Sequence, residues 1–219
     1  MYSVEELTGN KLINLSNLGS GLYNDFQENS LLDNFKNAIN DKGFKLFAFI
    51  VCDFTHDAYL MQDIKKEWNK LNISSGNNLA VVAFNKDYTE YSKSSFEDTV
   101  KNEFNSKLKN PSVLFFTLSE ENNNLVIGYK SILELRSITT VNINDLILLF
   151  EGINQELNNI FLDSSRISSS EYNNRIEEMF KNNIKKKHVK LDVIITNFTL
   201  PKILNLLISF KPISISSFS

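Results

Sequence analysis

Apolar positions along the chain follow two rhythms, one helical and one continuous. Leu31, Leu32, Phe35, Ala38 and Ile39 recur at helical spacing between Ser30, a suitable N-cap, and Gly43, and predict a helix over 30–42. The run FKLFAFIVC from Phe44 to Cys52 is apolar almost throughout, as in strands buried on both faces with parallel neighbours. Thr55 then caps a second helix whose buried face is Tyr59, Leu60, Ile64, Trp68 and Leu71, ending near Ser74, Ser75 and Gly76. Leu79 to Phe84 (LAVVAF) repeats the buried-strand pattern. Phe96, Val100, Phe104 and Leu108 mark another helix, closed off by Pro111.

The runs Ser112 to Leu118 and Leu125 to Tyr129 are strands separated by a short polar loop, Ser119 to Asn124, which suits an antiparallel hairpin. A helix capped by Asn142 or Asn144 follows, burying Leu146, Leu149, Phe150, Ile153, Leu157 and Phe161. After the first helix the order is β-α-β-α-β-β-α. This predicts an α/β domain in which helices flank a mixed four-stranded sheet. Residues 162–170 form a Ser-rich break. Tyr172, Ile176, Met179, Phe180 and Ile184 then resume a helical stripe, Val189 to Thr196 suits a fifth strand, Leu200 to Phe210 a short helix, and Ile213 to Phe218 an alternating arm.

Charge separates this last region from the rest. Residues 1–160 carry 14 Lys/Arg against 21 Asp/Glu (−7), and residues 161–219 carry 9 against 5 (+4), which together give the net −3. Lys181, Lys185, Lys186, Lys187 and Lys190 fall within ten residues and form a candidate basic patch. Such a patch suits nucleic acid or an acidic membrane surface, while lysines near a helix C-terminus also simply complement its dipole.

Composition changes the picture in two ways. The 30 Asn, with 20 Lys against 3 Arg and 5 Ala, reflect an AT-rich genome more than a chemical requirement. The single Cys in 219 residues excludes a disulfide partner within the chain and a zinc site built from several thiolates. The sequence from Met1 to Asn10 shows no secretory signal, and no run reaches the roughly 18 apolar residues of a membrane span. A cytoplasmic or host-cytoplasmic location is expected.

The element order, with the segment Asn110-Pro111-Ser112-Val113-Leu114-Phe115-Phe116 placing a proline before an apolar third strand, resembles the thioredoxin-like superfamily over about residues 30–160. The stretch Glu121 to Gly128 is similar to that family's polar hairpin ending in Gly. The resemblance implies a three-layer sandwich around a mixed central sheet over 30–161, after a lead-in segment over 1–29. A basic α+β extension over 162–219 would serve docking or oligomerisation. It also implies a groove beside the proline that takes up extended polypeptide, and so nominates Thr55, His56, Asn110 and Pro111 as binding residues.

The catalytic element of that family does not follow. A dithiol oxidoreductase needs a Cys-x-x-Cys pair at the first βα junction, where a helix N-terminus lowers the pKa of the attacking thiol. Here the junction reads Cys52-Asp53-Phe54-Thr55-His56-Asp57-Ala58, and Cys52 at the end of an apolar strand reads as a small core hydrophobe. Asp53, His56 and Asp57 offer ligands for a divalent metal, but capping by Thr55 and an acidic first turn account for the same residues. His188 stands within the lysine cluster without ligand-spaced partners. No nucleotide-binding glycine loop, nucleophile elbow or His-Glu-x-x-His motif is present, so no cofactor and no metal are expected.

The expectation is therefore a non-catalytic interaction or scaffold subunit on a redox-inactive thioredoxin-like domain, with a protein partner or its own copies, as part of a virion, host-defence or other complex. The alternatives are a metal-dependent or monothiol enzyme at the first βα junction, and a nucleic-acid or membrane-surface accessory protein working through the lysine-rich tail.

Overall fold

A computed structural model describes residues 2–3, 46–52, 57–83, 111–121, 124–135, 143–162, 168–184, 192–194, 199 and 201–202. The strands are β1 (Tyr2–Ser3), β2 (Leu46–Val51), β3 (Leu79–Ala83), β4 (Ser112–Glu121), β5 (Asn124–Glu134) and β6 (Asp192–Ile194). The helices are α1 (Ala58–Lys66), α2 (Trp68–Ser75), α3 (Ile143–Leu162) and α4 (Ser169–Glu178), and α4 runs on into a π-helical segment, Met179–Ile184. The chain is an α/β protein with a mixed sheet in the order β1-β3-β2-β4-β5-β6.

The two continuous apolar runs are its centre. Every residue of β2 and of β3 is buried, and the strands pair in parallel with Leu46 opposite Leu79 and Phe49 opposite Val82. Only a strand covered on both faces can use six apolar side chains in succession. The connection between them runs through α1 and α2, as a parallel pair requires. β4 lies antiparallel on the other side of β2, and its Phe116 ring stacks on Phe47 with centroids 5.4 Å apart.

Among the described residues the sheet has six strands, where the sequence predicts four in the core block and a fifth in the tail. β1 comes from the expected lead-in and pairs Tyr2 with Val82, a two-residue match too short to leave a period in the sequence. The expected strand over Val189 to Thr196 is present as β6, paired antiparallel with Ile132, Leu133 and Glu134 of β5. The hairpin strands are longer than expected: pairing reaches Glu121 opposite Asn124, and β5 continues through Lys130 and Ser131 to Glu134. Cross-strand partners carry polar residues into a ladder that their own propensity would end.

The helical region after β2 buries Leu60, Ile64 and Leu71 and packs Trp68 on the core as expected, but departs from expectation at its start and at Tyr59. Its N-cap is Asp57, not Thr55, and makes no side-chain capping bond. Leu60, Met61 and Ile64 are buried while Tyr59 is 84% exposed. The stripe centres on Met61, which turns Tyr59 outward. Glu67 breaks the helix between α1 and α2. In α3 the stripe falls as expected, with Leu146, Leu149, Phe150, Ile153 and Leu157 buried; Asn144 lies inside the first turn, while Asn142, the other expected cap, and the Phe161 side chain lie outside what is described.

Residues beyond 162 share this core. Ile176, Met179 and Phe180 are buried in the same apolar cluster as the strands. Ser168 caps α4 by accepting from the Glu171 amide at 3.2 Å, the Ser-x-x-Glu signature of a helix start within the Ser-rich break. The helices expected over 30–42 and around Phe96 to Leu108, and the arm from Ile213, lie outside the described residues. Of Leu200 to Phe210 only Lys202 and the preceding helical Pro201 boundary are described. Among the described residues no helix is long and apolar enough to cross a membrane.

Candidate functional site

The end of the sheet where β2 finishes carries Cys52 and Pro111, two of the residues the sequence singles out. The last registered pair between β2 and β4 is Val51 with Ser112, so Cys52 and Pro111 stand one residue further on, on neighbouring strands. Cys52 is 2% exposed. Pro111 is also buried, and its carbonyl accepts from the Leu135 amide at 2.9 Å, extending the β4–β5 ladder by one bond. Next to it Ser112 pairs with Glu134, both buried, and Glu134 pairs with Asp192 of β6.

The geometry around Cys52 bears on its chemistry. Thiol activation at a helix N-terminus acts within about the first turn. α1 begins only at Ala58, so the thiol sits on the strand side of the junction. What the structure places there is a small apolar side chain in the core. Pro111, expected as a contact residue, is buried at the sheet end, where its carbonyl accepts from Leu135. Thr55, His56 and Asn110 lie outside the described residues, as does Asp53. Asp57, the third of the candidate metal ligands, is half-buried at the N-cap. Among the described residues, no three His, Cys, Asp or Glu side chains gather closely enough to hold a metal ion.

Of the lysine cluster, Lys181 is described. It is exposed on the π-helical segment and pairs with Glu177 one turn earlier, so part of its charge is neutralised locally. Lys185, Lys186, Lys187 and Lys190, with His188, lie outside the described residues.

Two polar arrangements were not foreseen. On α3, Glu151, Asn154 and Asn158 form one line facing the end of α2. Ser74 Oγ donates to Glu151 Oε1 at 3.3 Å and Asn78 Nδ2 donates to Asn158 Oδ1 at 2.8 Å. Between them Gly76 lies under the Asn154 side chain, at φ +61°, a backbone conformation that favours glycine. The i, i+3, i+7 spacing of these polar residues beside an apolar stripe is the signal in the sequence.

The second arrangement holds a β-bulge. The β4–β5 register jumps from Phe116 opposite Lys130 to Leu118 opposite Ile127, so Gly128 and Tyr129 together oppose Thr117. The Tyr129 amide bonds to Thr117 Oγ1 at 2.7 Å, and that hydroxyl donates to Asn173 Oδ1 of α4 at 2.7 Å. Gly128 leaves room for the Asn173 side chain, which a β-carbon would meet at 2.2 Å. The Tyr129 ring stacks on Phe180. Burial pushes the phenols of Tyr129 and Tyr172 well above their ordinary value, and the Glu177 carboxylate adds to the effect at Tyr129.

Comparison with protein-family models, with curated proteins and with solved structures gives no match to this chain.

Proposed function

We propose that the chain is a non-catalytic interaction or scaffold subunit built on a redox-inactive thioredoxin-like domain. The observation that carries this reading is the burial of Cys52, 2% exposed, on a strand end that stops six residues short of the α1 start at Ala58. A sulfur nucleophile needs access and a lowered pKa, and this position favours neither. The parallel β2–β3 pair joined through helices, with an antiparallel hairpin added beside β2 and Pro111 at its entry, supports the thioredoxin-like part of the reading.

Function then rests on a polypeptide partner, or a second copy, met at the sheet end. Since Pro111 is buried, the partner meets the residues around it, and Thr55, His56 and Asn110 are the proposed contacts. The test is affinity capture from the native source with mass measurement of the intact complex, repeated with Thr55, His56 and Asn110 changed to Ala. Loss of the partner from the triple variant, with the fold retained by circular dichroism, supports the reading. Capture that depends only on the lysines from 181 to 190, or thiol–disulfide turnover that vanishes in Cys52→Ala, overturns it.

A further inference from the structure

We draw no further inference here: the strongest candidate, the outer edge of β5 ahead of the Ile132–Glu134 stretch that pairs with β6, where Val126 is exposed, carries nothing because nothing in the structure shows what covers it.

Discussion

Gly76 sits so close beneath Asn154 that a β-carbon on the glycine would stand 2.4 Å from the amide atoms of the asparagine. The contact joins the end of α2 to the middle of α3, and the glycine's φ of +61° makes the same position unsuited to other residues. Gly76→Ala is therefore expected to destabilise the fold by about 1–3 kcal/mol, from backbone strain and the clash together. In an Asn154→Ala background the clash is relieved and the backbone part remains, so the cost of Gly76→Ala should fall without vanishing. Urea denaturation of the double-mutant cycle measures both parts.

Phe180 and Tyr59 give opposite expectations for two aromatic residues that share helical stripes in the sequence. Phe180→Ala removes a ring buried between Phe115 and Tyr129 and should cost about 3–5 kcal/mol. Tyr59→Ala acts on a side chain that is 84% exposed, and should change stability by no more than about 0.5 kcal/mol. Equal shifts in urea midpoint for the two variants would contradict the placement of α1.

The buried phenols set a stability limit at high pH. Tyr129 and Tyr172 have native pKa values raised by burial, so the unfolded chain loses those protons first. Their contribution is complete below the unfolded phenol value of about 10 and declines as pH rises through it, because only the unfolded state ionises there. Unfolding free energy should accordingly be insensitive to these groups at neutral pH and fall above about pH 10. Tyr129→Phe should make that alkaline slope shallower, as read by urea titrations at stepped pH.

Cys52 should behave as a core side chain towards thiol reagents. Its reaction with a bulky aromatic disulfide is expected to be at least about a hundredfold slower in the native protein than in denaturant, since access requires opening. Cys52→Ser, which buries a hydroxyl at the same place, should cost about 1–3 kcal/mol if that hydroxyl finds no partner. Rapid native labelling would place the thiol at the surface and remove the main support for a non-catalytic domain.

Much of the sheet was legible because its strongest signals are long and uninterrupted. LFAFIV and LAVVA read as strands buried on both faces, and they pair with each other in parallel at the centre of the sheet. The α3 stripe was equally plain. The features that escaped are those decided by tertiary contact. Tyr59 has the right spacing for the core but loses its place to Met61, two residues away, once the helix is docked. Tyr2–Ser3 becomes a strand only because Val82 and Ala83 offer an edge. The extension of β5 through Ser131 depends on Phe115 opposite it, and the Thr117–Asn173 bond on a bulge that no local pattern announces. Of the candidate site, the burial of Cys52 was foreseen from its strand end, whereas the burial of Pro111 follows from its bond with Leu135, which depends on how far β5 runs.

The strand order has a kinetic meaning. β4 and β5 are joined by a tight hairpin, while Tyr2 of β1 finds its partner at Val82 and β6 finds its own back at Ile132 to Glu134. Contacts that close short loops form early, and those that close long ones wait for a surface already built. β4, flanked by β2 on one side and its hairpin mate on the other, is the natural nucleus of folding. The two short outer strands arrive last, so substitutions in them should speed unfolding and leave the folding rate nearly untouched.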